Sequence, residues 1–371
     1  MKRKVAIIGV GKLGLCFALN LEKAGFHVLG VEANQHYAAR LADKSFRSSE
    51  PQVNEMLQSA RDFVITGDVS QVLEQNIEDV FVMVATPSLP DGGYDHSQID
   101  RVVDRLKSST NKSGIINLYI GCTTMPGYCK VLSEEMEPFG YTVSYNPEFI
   151  AQGSIIHDQQ YPDQILIGEA NKNAGDRLQS IYEDFVRSNP TYCRMDSLSA
   201  EIAKLATNCF LTTKISFANS IGDLALTTGA DADKILKAVG ADTRIGDKYL
   251  NYGFGFGGPC FPRDNRALGK FAQSVNHPLR ISEATDLVNE EHFHFQLKKY
   301  LADSKDSGEV IFESVTYKKG TSQLTESQQL RLAVALAEAG RQVTVIDSVE
   351  VISQVETLYP GLFKFETELA S

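Results

Sequence analysis

Short apolar strands alternating with helical stretches at both ends of the chain, around a long helical stretch, predict an α/β protein in three parts. Three observations carry this. A buried-type strand near the N-terminus runs straight into a glycine motif and a helix. Ser199 to about Leu226 has helical character and is apolar on more than one face, so it belongs at the centre of the molecule. A strand–helix–strand pattern returns from Glu309 to Asp347.

The first part is the most explicit. Val5-Ala6-Ile7-Ile8 suits a buried parallel strand, and Gly9-Val10-Gly11-Lys12-Leu13-Gly14 follows at once. A helical pattern runs from Leu15 to about Lys23, and Gly25 ends it. A second strand, His27 to Val31, ends at Glu32. This is the dinucleotide fingerprint in its required setting, a Rossmann-type unit. Gly9 makes the tight turn, Gly11 lets a pyrophosphate approach the backbone, and Gly14 lets the helix pack on the strand. Glu32 would accept hydrogen bonds from ribose hydroxyls and repel a 2′-phosphate, which favours NAD over NADP. Asp79–Ala85, Gly114–Gly121 and Tyr141–Tyr145 read as further strands. They end in Thr86-Pro87-Ser88, in Cys122-Thr123-Thr124-Met125-Pro126 and in Asn146-Pro147-Glu148-Phe149, where ligands of such sheets bind. Thr86 also suits plain turn chemistry, and Glu148 is either a general base or a surface charge.

In the middle part, Glu201, Lys204 and Asn208 share one face of the long helix. Lys204 pairs with Glu201 or reaches solvent along its stem, or it stabilises an oxyanion, with Asn208 as a neighbouring donor. Glycines and aromatics alternate from Tyr249 to Gly258, as in a loop that folds over a ligand. Then comes Pro259-Cys260-Phe261-Pro262-Arg263-Asp264. Pro262 suits the first helical position, so the Cys260 sulfur lies at the positive end of a helix, which favours thiolate. Asp264 is close enough to be a base or to hold water.

Composition excludes several classes. The 371 residues carry a net charge of −11, against a nucleic-acid surface. The six cysteines show no framework or zinc spacing, so no metal site is expected and a reducing cytoplasm fits best. No apolar run has membrane-spanning length, and the basic start Met1-Lys2-Arg3-Lys4 leads into a strand rather than a signal sequence.

Taken together, these pieces resemble the UDP-glucose/GDP-mannose dehydrogenase family. The matching pieces are the glycine fingerprint, Asn146-Pro147-Glu148-Phe149, Glu201 to Leu211, Arg244-Ile245-Gly246 and Gly257 to Asp264, in family order over residues 1 to about 345. The family oxidises the C6 alcohol of a nucleotide sugar to a carboxylate with two NAD+. The resemblance implies that Cys260 is the nucleophile and Lys204 the oxyanion stabiliser, that Asp264, Thr124 and Glu148 handle protons and water, and that Asn208 lies in the site. It implies a cofactor site at Gly9, Gly11, Lys12, Leu13, Gly14, Glu32, Thr86, Pro87, Thr123 and Gln152. The sugar nucleotide would be lined by Phe149, Ile150, Tyr249, Asn251, Tyr252, Gly253, Phe254, Gly255, Phe256, Gly257, Tyr317 and Lys318. Arg244 would reach the substrate of a partner subunit, making a homodimer functional. This sequence departs from the family pattern at Pro259, Arg263, Gln152, Tyr37 and Thr325, the last standing where an arginine usually faces NAD.

The resulting expectation is an NAD-binding domain over 1–195, a helical central and dimerisation domain over 196–300 and a smaller Rossmann-like nucleotide-sugar domain over 301–371. The expected reaction is UDP-glucose to UDP-glucuronate. GDP-mannose or a UDP-N-acetylhexosamine is the alternative substrate. A two-electron 3-hydroxyacid dehydrogenase and a non-catalytic nucleotide-sugar binder are the alternative functions.

Overall fold

A computed structural model describes residues 2–108, 114–304 and 308–367; the other positions of the outer two expected domains lie outside the described residues. The chain divides into two compact units, Met1–Lys204 and Leu205–Ser371.

The first unit is built on an eight-stranded sheet: β1 (Lys4–Ile8), β2 (His27–Val31), β3 (Phe63–Thr66), β4 (Asp79–Val82), β5 (Ile116–Ile120), β6 (Tyr141–Tyr145), β7 (Gln164–Gly168) and β8 (Thr191–Met195). Its order is β3-β2-β1-β4-β5-β6-β7-β8, and among these pairs only β6 with β7 is antiparallel. The first six strands thus follow the doubly wound order, with the direction of winding reversing between β1 and β4. Alternation along β1 divides the core. Ala6 and Ile8 pack with Leu29, Val82 and Ile120 on one face. Val5 and Ile7 pack with Phe17, Val28 and Phe81 on the other. Helices α1 (Lys12–Lys23), α2 (Tyr128–Met136) and α3 (Lys172–Phe185) flank the sheet.

Several boundaries differ from the sequence pattern, α1 and β4 among them. Helix α1 begins at Lys12, three residues earlier than its apolar period suggests. Strand β4 stops at Val82 instead of Ala85, because β1 ends at Ile8, the residue paired with Val82, and the ladder has no neighbour beyond it.

Helix α4 (Ser197–Thr228) is 32 residues long and contains the unit boundary. In the second unit, α5 (Phe261–Ser274) and α6 (Arg280–Asp303) are followed by β9 (Glu309–Phe312), α7 (Gln328–Glu338), β10 (Gln342–Asp347), α8 (Val349–Leu358) and β11 (Lys364–Thr367). The three strands form a parallel sheet in the order β11-β10-β9. Its core joins Val310, Phe312, Leu336 and Val345 to Phe293 of α6. The second half of α8 and all of β11 lie after Ile352, where the pattern is uninformative in sequence. Among the described residues no helix is long and apolar enough to cross a membrane.

Candidate active site

The glycine fingerprint sits at the carboxyl end of β1, at the switch between β1 and β4. A Cβ on Gly14 would stand 2.1 Å from the Gly9 carbonyl oxygen, so only glycine lets α1 approach this closely. A Cβ on Gly11 would meet nothing within 4 Å. That open space lies at the positive end of a helix of 12 residues, which suits a pyrophosphate. Glu32 accepts hydrogen bonds from the backbone N–H of Val10 (3.2 Å) and Asn34 (2.9 Å), leaving lone pairs for ribose hydroxyls. These residues fit NAD. Lys12 reaches the Gln152 side-chain oxygen at 3.4 Å, and the partly buried Leu13 packs against the core on one face of the sheet. The Thr86 hydroxyl donates to the Thr123 carbonyl at 2.8 Å, tying two strand-end loops together, while Pro87 is exposed. Tyr37, one of the departures, packs edge-on against Phe46.

The loops after β5 and β6 meet the start of α4. Glu201 is fully buried and accepts from the Thr124 hydroxyl (2.8 Å) and from the N–H groups of Gly127 (2.6 Å) and Cys129 (2.9 Å). It therefore anchors the free donors at the start of α2. Burial pushes its carboxyl up, and these hydrogen bonds oppose the shift. Thr124 is fully buried with its hydroxyl on Glu201. Lys204 is buried; its ammonium donates to the Glu148 carbonyl at 2.7 Å and lies 4.2 Å from the centre of the Phe149 ring. Burial pushes the Glu148 carboxyl up to about 7, against the opposing effects of Tyr182 and Lys204. The Tyr182 hydroxyl stands 3.3 Å from Glu148 Oε1 and 2.7 Å from Asn146 Oδ1. Phe149 packs against the core cluster of the sheet and Ile150 against that of α1.

In the second unit, Cys260 is the N-cap of α5 and Phe261 its first residue, which puts Pro262 at the second helical position instead of the first. Its carbonyl accepts from the Asp264 N–H at 2.8 Å. Asp264 is 1% exposed, and its Oδ2 accepts from Asn208 Nδ2 at 2.6 Å. Cys260 is the exposed one among the six cysteines. Burial pushes the thiols of Cys16, Cys122 and Cys209 up to about 12 and that of Cys129 well above its ordinary value. These four are inert at neutral pH.

The glycine–aromatic loop is held by helices α4 and α6. Tyr252 donates to Asp223 (3.0 Å), the Gly253 N–H to Asn219 (3.0 Å), and Asn289 bonds both the N–H and the carbonyl of Phe256. Phe254 faces Phe312, and a Cβ on Gly255 would collide with Asn289. A Cβ on Gly257 would stand 2.2 Å from the Glu326 carbonyl oxygen, and the Gly258 N–H donates to the Thr325 carbonyl. Tyr317 lies against Gly258, and the Lys318 carbonyl accepts from Thr316 and Thr321. Tyr249 and Asn251 are exposed. Arg244 is exposed and pairs with Asp242, two residues away. Sequence reasoning missed Tyr182, Asn219, Asn289 and the anchoring by Glu201. Of these only Glu201 gave a signal, its helical spacing from Lys204.

The NAD-binding-domain model of the UDP-glucose/GDP-mannose dehydrogenase family matches residues 3–186, and the family's central-domain model matches residues 198–291. The UDP-glucose 6-dehydrogenase of Pseudomonas aeruginosa is 30% identical over 361 residues, covering 93% of this chain and 79% of its own. The chain belongs to this family. It is an NAD-dependent nucleotide-sugar 6-dehydrogenase. The UDP-glucose 6-dehydrogenase of Rickettsia bellii is likewise 30% identical, over 92% of this chain and 80% of its own. Among solved structures, a UDP-glucose dehydrogenase from the archaeon Pyrobaculum islandicum superposes with a TM-score of 0.88 at 26% identity, covering 99% of this chain and 86% of that one. A UDP-D-ManNAc dehydrogenase from Pyrococcus horikoshii shares the fold, with a TM-score of 0.80 at 20% identity over 93% of this chain and 83% of that one.

Proposed function

We propose that this enzyme oxidises the C6 alcohol of UDP-glucose to the carboxylate of UDP-glucuronate, through a thiohemiacetal and a thioester on Cys260. The observation that carries the reading is the exposed Cys260 at the start of α5, one turn before the buried Asp264–Asn208 pair. Bound NAD+ supplies the hydride acceptor, and two are used per sugar. The chain's residues do the rest. Loss of the alcohol proton and a C6 hydride gives an aldehyde. The Cys260 sulfur then forms a bond to C6, and the carbonyl π pair moves to oxygen. Lys204 stabilises that oxyanion. With its oxygen still anionic, the thiohemiacetal loses its C6 hydride to become a thioester. Water adds to the thioester, the C–S bond breaks, and the thiolate returns. Glu148, held near the midpoint of its titration at about 7, exchanges protons at neutral pH, with Asp264 and Thr124 serving protons and water.

Residues 1–195 form the NAD domain on this reading, 196–300 the helical centre and 301–371 the nucleotide-sugar domain. Tyr249, residues 251–257, Tyr317 and Lys318 line the sugar nucleotide. The enzyme acts as a homodimer in which Arg244 serves the partner's substrate. Phe210, Phe217 and Leu224 are 64%, 49% and 59% exposed and form one stripe along α4, which supports that assembly. Phe217→Glu should shift the elution of the protein to the monomer size. Six thiols without framework spacing support a cytoplasmic setting.

The deciding experiment counts NADH against sugar consumed. Two per sugar supports the four-electron route; one per sugar sinks it. A panel including GDP-mannose and UDP-N-acetylhexosamines decides the sugar.

A further inference from the structure

The glycine–aromatic loop has an unusual fastening on its helix α6 side. His292 is 2% exposed. Its Nδ1 lies 2.8 Å from Asp223 Oδ2, and its Nε2 lies 2.7 Å from the Gly253 carbonyl oxygen. A carboxylate and a carbonyl both accept and neither donates. Both contacts are hydrogen bonds only when both ring nitrogens carry a hydrogen. The Gly253 carbonyl takes a second donor, Gln296 Nε2, at 3.0 Å, and the other Asp223 oxygen takes the Tyr252 hydroxyl at 3.0 Å. The Tyr252 ring passes over Gly222 of α4, where a Cβ would stand 1.9 Å from it. Thus two consecutive loop residues are bound by one continuous chain, Tyr252–Asp223–His292–Gly253, that crosses from α4 to α6.

We propose that His292 is a positioning residue for substrate: a doubly protonated ring that clamps Gly253 to Asp223 and holds residues 251–257 in the shape that binds the sugar nucleotide. This rests on the assignment of that loop to substrate binding. It adds a specific device to it, an ionic hydrogen bond that fixes a segment whose glycines would otherwise sample many conformations.

The test compares His292→Leu, His292→Gln and Asp223→Asn in the full-length enzyme. His292→Leu should raise KM for UDP-glucose about 10- to 100-fold, the loss expected for a charged hydrogen bond, with KM for NAD within twofold of the parent. His292→Gln keeps one donor and should recover part of the loss. Hydrogen exchange at the Gly253 and Phe256 amides should quicken in His292→Leu and Asp223→Asn, with no substrate present. Nitrogen-15 spectra of the parent should show both His292 ring nitrogens protonated. A bare ring nitrogen, or unchanged amide exchange in these variants, overturns the clamp. If UDP-glucose is not oxidised by the parent, the reading of the reaction fails, and exchange and nitrogen spectra still decide the clamp. If His292→Leu does not fold, Asp223→Asn carries the same exchange comparison.

Discussion

The loop after β5 in the first unit is fastened by α4, and the glycine–aromatic loop of the second unit by α4 and α6 together. In the first, one buried carboxylate, Glu201, gathers three donors from residues 124–129. In the second, the side chains of Asn219, Asp223, Asn289, His292 and Gln296 each hold one or two groups of residues 252–256. The difference follows from what precedes each loop. Residues 124–129 leave β5, whose ladder already fixes the chain, so one anchor suffices. Residues 251–257 belong to no strand or helix, so every polar group that becomes buried needs its own side-chain partner. Helix α4 buries Glu201 and Asn219, and α6 buries His292 and Gln296, inside the protein, where a hydrogen bond to a charged group is most effective.

Five measurements sharpen or break this contrast. Cys260→Ala should lower turnover to the carboxylate by roughly 10⁴-fold or more, the scale of losing a nucleophile. Full activity would remove the covalent route. Lys204→Met should lower kcat by about 10²- to 10³-fold, as for loss of one oxyanion donor. An unchanged kcat would leave Lys204 as a fixture for the Glu148 carbonyl alone. The raised Glu148 carboxyl sets a pH dependence. Below about 4.5 it is protonated whether folded or unfolded, and between there and about 7 only the folded chain keeps the proton. Stability therefore falls as pH rises through this window, by about 3 kcal/mol in total, and Glu148→Gln should flatten the fall in urea titrations. Glu201→Gln should cost about 2 kcal/mol of stability, because one amide cannot replace a carboxylate on three donors. Asn289→Ala should cost about 1 kcal/mol, since the other loop side chains remain. If Asn289→Ala proves costlier than Glu201→Gln in the same denaturant assay, the contrast between one anchor and many is wrong.

Some of these arrangements were legible before any coordinates. The glycine fingerprint, the acid at the end of β2 and the 32-residue helix announce themselves, because periodicity and glycine placement report backbone geometry directly. The cysteine at a helix start was legible for the same reason, whereas its exposure was not. The pairing of Lys204 was not. Sequence spacing left Glu201 as its simplest partner, whereas Glu201 anchors the start of α2 and the Lys204 ammonium bonds the Glu148 carbonyl. Helical spacing says which residues share a face, and it is silent on what packs against that face.

The sequence by itself thus determined the α/β class, the dinucleotide cradle and the identity of the thiol at the start of α5. These depend on contacts within about twenty residues, or on residue types with one strong conformational preference. Only the tertiary structure decided which carboxyls are buried, which loop each helix holds and that His292 meets Gly253. Those outcomes depend on partners 39 to 77 positions apart in the chain, as His292–Gly253 and Glu201–Thr124 show. Such pairs form only when the whole fold closes around them, and no local pattern encodes them.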